Sequence, residues 1–73
     1  MAARSVKSEV AGTVWKIAKR AGDRVAVDEA IIILECMKME IPILAPIGGR
    51  IEAINVDEGD TVAEGQLVIV IAT

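Results

Sequence analysis

The sequence predicts an all-β protein: a flattened barrel or sandwich of two four-stranded antiparallel sheets with internal pseudo-twofold symmetry. Three observations predict it. Apolar residues come in short runs rich in β-branched side chains, "AIIIL", "EIPIL", "GRIEAINV" and "QLVIVIA", which have the length and chemistry of strands. Turn signals containing glycine, proline or aspartate, "AGDR", "APIGG" and "EGDT", stand between them. Finally, a shift of 37 residues lays one half of the chain on the other, and no window of useful length shows a helical period.

The repeat sets the elements in order. Gly12 falls on Gly49, Gly22 on Gly59, Asp23 on Asp60, Ala26 on Ala63 and Ile32 on Ile69. Val6 meets Ile43, Val14 meets Ile51, Ile17 meets Ile54 and Val25 meets Val62. Strands are expected near residues 6–10, 13–18, 24–25 and 31–35, then at the same places in the second half. Residues 2–36 map onto 39–73, which leaves Met37 and Lys38 at the seam. If the fourth strand pairs with the fifth through that seam, its image is the eighth pairing with the first. The termini then meet at the end opposite a Met37-Lys38 hairpin. Gly22, Gly59, Gly48 and Gly49 read as turn glycines, needed for backbone angles or close packing. Pro42 and Pro46 mark an edge strand or a strand end.

Composition narrows the function. The chain has 73 residues, read as one domain over 1–73, and at this size only about 60% of the unfolded surface is buried. It has no histidine, the commonest general base and metal ligand. No metal site and no nucleophile–base pair is visible. A lone Cys36 cannot form an internal disulfide, which suits a reducing, cytoplasmic setting. The apolar runs are too short to span a membrane, and the start has no apolar signal-peptide core. A net charge of -3 argues against nucleic acid as a partner. Residues 2–36 hold six basic and five acidic groups, whereas residues 39–73 hold one basic and six acidic. Asp57, Glu58, Asp60 and Glu64 fall in or near turns, where they form a solvated surface or an acidic face that steers a basic partner. Trp15 aligns with Glu52, so it is not expected to sit deep inside; partial cover of the barrel surface is the expectation, and a docking role is the other reading.

The seam is where the local rules break. A two-residue hairpin turn of type I′ needs positive φ at both central residues, and Asn-Gly or Asp-Gly is usual. Here the central pair is Met37-Lys38, and neither residue favours positive φ. One broken rule in a chain that obeys it elsewhere marks a candidate functional site. A longer turn, or methionines that belong to the core, is the other reading.

The stretch "ECMKMEIPILAPIGGRIEAINVDEGDTV" resembles the biotinyl, or biotin carboxyl carrier, domain family. The marks are the triplet Met37-Lys38-Met39 at a hairpin tip, Ala45-Pro46 a few residues on, and a Gly-Asp-x-Val turn in each half, at Gly22-Asp23-Arg24-Val25 and Gly59-Asp60-Thr61-Val62. Length and "MKMEIPI" are most similar to the small stand-alone biotin/lipoyl attachment proteins of bacteria. The resemblance implies that Lys38 is joined by an amide to biotin, with biotinyl-AMP supplied by a biotin protein ligase. Met37 and Met39, apolar and flexible on either side of that lysine, are expected to be flanking recognition residues. The resemblance also implies that the arm carries CO2 as carboxybiotin between biotin carboxylase and carboxyltransferase, as in acyl-CoA carboxylases. A free lysine amine is almost all ammonium at pH 7, and no base lies nearby in sequence, so the ligase must activate it. The chain then reads as a carrier and not an enzyme, expected to be monomeric. A lipoate carrier on the same lysine is the alternative, although lipoyl domains usually show Asp-Lys-Ala there. An unmodified β-barrel interaction module is a further one. The chain departs from the family in three ways: Cys36 stands where Ala or Ser is usual, Asp28-Glu29 replaces the Gly-bearing pair seen at Gly65-Gln66, and no thumb insertion fits in the first half. Cys36 is expected to be a small, partly buried neighbour of the turn. Asp28 tolerates a left-handed backbone, so its turn should survive.

Overall fold

A computed structural model describes residues 2–73. Its eight strands are β1 (Ala3–Lys7), β2 (Gly12–Ile17), β3 (Arg24–Val25), β4 (Ala30–Cys36), β5 (Met39–Leu44), β6 (Gly49–Ile54), β7 (Thr61–Val62) and β8 (Leu67–Ala72). They form two four-stranded antiparallel sheets, ordered β1-β8-β6-β3 and β5-β4-β2-β7. Advancing each strand of the first half by 37 residues turns one order into the other, so the symmetry expected from the repeat is present in the pairing.

The core shows the same symmetry. Val6 and Ile43, Val14 and Ile51, Val25 and Val62, Ile31 and Val68, Ile32 and Ile69, and Leu34 and Ile71 are all buried. Each pair places equivalent side chains between the sheets, and a buried aliphatic residue of this kind contributes about 1.5–3 kcal/mol. Ser8 is buried where the second half has buried Ala45. Its hydroxyl donates to the Val10 carbonyl and accepts the Val10 N–H, so the polar group is satisfied in place.

The first strand of each half begins and ends earlier than expected: β1 is Ala3–Lys7, not 6–10, and β5 is Met39–Leu44. Backbone hydrogen bonding gives the reason. Ser8 leaves the sheet to donate to Gln66 O (2.9 Å) and to accept from Gly65 N–H (2.7 Å). Ala45 does the same with Glu29 O (2.9 Å) and Asp28 N–H (2.7 Å). These bonds fasten each chain segment to a turn instead of extending the ladder. Val10 looks like strand by its type, yet it packs against the core from a loop.

The Gly-Asp turns bind the two halves together. Gly22 N–H donates to Ile51 O (2.7 Å) and Ile51 N–H to Asp23 O (2.8 Å). In the second half, Gly59 N–H donates to Val14 O and Val14 N–H to Asp60 O, both at 2.8 Å. Each turn is closed by its own carboxylate: Asp23 accepts Arg20 N–H and Asp60 accepts Asp57 N–H, both at 2.9 Å. Gly22 and Gly59 hold φ of 95° and 93°, a conformation that glycine adopts without a Cβ penalty. Gly49 differs from the expected turn glycine. It lies in β6, where a Cβ would sit 2.5 Å from Ala72 O, so close strand approach is its reason.

Four edges are exposed, and each is blunted. β3 and β7 are two residues long, β5 carries Pro42, and β1 carries Arg4 and Lys7; short length, proline and charge all discourage strand addition. The molecule measures 37 × 18 × 17 Å. β5 leaves the seam at Met39, and after it the chain crosses to β6, where Arg50 pairs with Ala72. Thr73 N–H donates to Ala2 O (2.9 Å). Ala2 and Thr73 therefore meet at the far end from residues 37 and 38.

Candidate functional site

β4 and β5 pair without interruption from Ile32↔Ile43 to Cys36↔Met39. Cys36 and Met39 thus close a turn whose only interior residues are Met37 and Lys38. Their φ values are 52° and 65°, the double left-handed conformation of a two-residue hairpin. For residues other than glycine this costs about 1–2 kcal/mol apiece. The cost is carried by the strands below, where Ile32, Leu34 and Ile43 are buried. The turn is short, and the methionines are not core.

Gly12 supports the base of this hairpin. A Cβ there would meet Glu35 O at 2.8 Å and the Cβ of Cys36 at 3.6 Å. Glycine lets β2 press against β4 just beneath the turn. The repeat pairs Gly12 with Gly49, but sequence reading gave Gly12 no part in the site; the one signal was that both halves keep glycine there. Cys36 is partly buried, as expected for a small neighbour of the turn.

The tip is exposed. Met37 is 90% exposed and Met39 65% exposed, and Lys38 is exposed between them. Glu35 and Glu40 face each other across the hairpin one step below and are also exposed. Among the described residues the one ion pair is Lys19 with Glu29, at 3.0 Å, so neither glutamate ties down the Lys38 ammonium. The site is convex. A groove of about 550 Å³ between β1 and β5 is lined by residues such as Val6, Ile43 and Leu44 and does not include the tip. Lys38 is thus offered outward to something else. An exposed primary amine on a short, well-supported hairpin suits covalent attachment of a carboxylic acid.

The sequence model of the biotin/lipoyl family, described as "Biotin-requiring enzyme", matches residues 1–71. The chain belongs to this family. It is 40% identical over 65 residues to the biotin/lipoyl attachment protein of Bacillus subtilis, covering 89% of each chain. It is 39% identical over 71 residues to the biotin carboxyl carrier protein of Streptococcus mutans, covering 97% of this chain and 55% of that one. Its fold matches the solution structure of the lipoyl domain of the 2-oxoglutarate dehydrogenase complex from Azotobacter vinelandii with a TM-score of 0.79 at 32% identity, covering 94% of this chain and 95% of that one. The biotin/lipoyl domain is a carrier of covalently attached biotin or lipoate, and relatives of both kinds occur.

Proposed function

We propose that this chain is a biotin carrier protein, modified on Lys38 by a biotin protein ligase. The observation that carries this reading is the exposed Lys38 on a two-residue hairpin, between two exposed methionines, at the end remote from the termini. The free-base amine of Lys38 attacks the acyl carbon of biotinyl-AMP held by the ligase. An amide forms, AMP leaves and the amine's proton is released. The ligase supplies the activation, because no base stands beside Lys38 in sequence. The hairpin supplies position and access.

Once loaded, the chain serves biotin carboxylase and carboxyltransferase in turn, carrying carboxybiotin between them. The bound cofactor performs the chemistry, and tethering raises its effective concentration at each site. Likeness to the carboxyl carrier protein of Streptococcus mutans supports the carboxylase setting. Lipoate on the same lysine is the second reading, favoured by the lipoyl-domain match.

Intact mass after co-expression with a biotin ligase or a lipoate ligase tests both. The expected result is the mass of one biotinyl group on the wild-type chain and none on Lys38→Arg, whose guanidinium gives no attacking amine. The variant should keep the β-rich circular dichroism of the parent. Biotin still present on Lys38→Arg would place the site elsewhere, and lipoate alone on the wild type would select the second reading.

A further inference from the structure

The two outer faces of the sandwich can be compared position by position. On the sheet that ends in the hairpin, Lys16, Ile33 and Pro42 form one row across β2, β4 and β5. Trp15 stands beside them in the bulge between Val14 and Lys16. It is 53% exposed; Pro42 is exposed and Ile33 half-buried, and neither Trp15 nor Ile33 belongs to the packed core. The matching row of the other sheet is Ala53, Val70 and Ser5, with Glu52 in the matching bulge. A fold that accepts Glu52 and Ser5 does not itself require Trp15 and Pro42. Trp15 and Pro42 are additions to the fold, and they lie on the face that leads to Lys38.

The next row toward the hairpin is Thr61, Thr13, Glu35 and Glu40. Its image on the other sheet is Arg24, Arg50, Ala72 and Ala3. The hairpin face thus offers Trp15, Ile33 and Pro42 beside the exposed Lys16 cation, with carboxylates on the Lys38 side. Its complement is a protein surface with an apolar patch and basic side chains toward the hairpin.

Resting on the biotin reading, we infer that the face centred on Trp15 is where the biotin ligase docks. Reach decides between partners. Lys38 is five positions along the chain from Ile33, about 17 Å at most. A standard interface of about 800 Å² per partner is a disc of roughly 16 Å radius. A ligase that brings its acyl-adenylate to the unextended lysine therefore covers much of this face as well. Later partners meet a lengthened arm and need no such contact with the body of the domain. Tryptophan is the residue type that most often dominates such interfaces.

The test is steady-state biotinylation by a purified biotin protein ligase with ATP and biotin, varying the unmodified chain. Trp15→Glu installs the residue that the fold already carries at the equivalent bulge, and Pro42→Ser is the second such exchange. The expected result is an unchanged melting temperature and a kcat/KM about tenfold or more lower for Trp15→Glu, mostly through KM, with a smaller loss for Pro42→Ser. Trp15→Phe should recover most of the activity. Equal kcat/KM for wild type and both exchanges overturns the inference alone. A wild-type chain that the ligase leaves untouched overturns the biotin reading with it. Normal ligation with impaired carboxyl transfer gives the face to a later partner, and a wild-type dimer that Trp15→Glu dissociates gives it to a second copy; either outcome also overturns the inference.

Discussion

At one end of the molecule Cys36 pairs with Met39, and the chain turns between them through Met37 and Lys38. At the other end the equivalent residues are Thr73 and Ala2, held together by hydrogen bonds from the Thr73 N–H and hydroxyl to Ala2 O, and there the described chain stops. Strand pairing is alike at both ends. What differs is a covalent link of two residues, both at positive φ. Pairing alone gives a symmetric sandwich with two equivalent ends. The linking turn makes one end a rigid projection, and its strain is bearable because β4, a central strand whose Ile31, Ile32 and Leu34 are fully buried, anchors it. The proposed attachment site lies where the symmetry is broken, and the unbroken parts serve as internal controls.

The paired Gly-Asp turns are the first such control. Gly22→Val and Gly59→Val should each destabilise the protein by about 1–3 kcal/mol, because valine is forced to positive φ. Space is not the cause, since nothing lies within 4 Å of a Cβ at either position. The two variants should lose similar stability in urea, and biotinylation should fall only through unfolding. A variant as stable as the parent, or two very unequal losses, would show that the turns are not equivalent supports.

The repeat made most of this architecture legible. Apolar residues matched at a spacing of 37, and six of those matches are the buried pairs of the core. The hairpin was legible because Met37 and Lys38 were the residues left over. Strand ends were not legible, because residue type does not say whether a backbone N–H goes to a neighbouring strand or to a turn. Ser8 and Ala45 choose the turn. The support from Gly12 was hidden because it depends on how closely β2 approaches Glu35 O. Half-exposed Trp15 was visible as an oddity against Glu52, but its face became readable only once register placed Ile33 and Pro42 beside it.

A second matched pair gives a smaller, pH-dependent effect. Glu29 Oε1 accepts Ala26 N–H at 2.9 Å, and Gln66 Oε1 accepts Ala63 N–H at 2.9 Å. The turns are alike, but only Glu29 carries a charge, paired with Lys19. The Ala26 hydrogen bond, and after it Lys19, holds the Glu29 carboxyl below its ordinary value of 4.5. Its stabilisation is therefore complete above that ordinary value and is lost as pH falls through the lower folded one. Glu29→Gln copies the second half, keeping the turn hydrogen bond without the charge. At pH 7 it should be slightly less stable than the parent, as expected for a surface pair, and at pH 3 the gap between their urea midpoints should narrow. A gap that is constant or widens in acid would mean that the charge on Glu29 is not what separates the turns.

The smallest effect on stability is expected at the tip. Truncating a buried methionine costs about 2–5 kcal/mol, but Met37 and Met39 are 90% and 65% exposed, and nothing in the core depends on them. Leucine at position 37 meets the same positive φ as methionine, so Met37→Leu adds no backbone strain. Met37→Leu and Met39→Leu should leave the melting temperature nearly unchanged and should still accept biotin, because hairpin position and the Trp15 face govern the ligase. They should slow carboxylation of the bound biotin or transfer from it. On the proposed reading the methionines border the attached group, where flexible, polarisable side chains suit more than one partner pocket. Tip and face are then separable: Trp15→Glu impairs loading, and the leucine variants impair use. Normal transfer in both leucine variants, together with a large loss of stability in Met39→Ala, would remove the methionines from recognition and return them to packing.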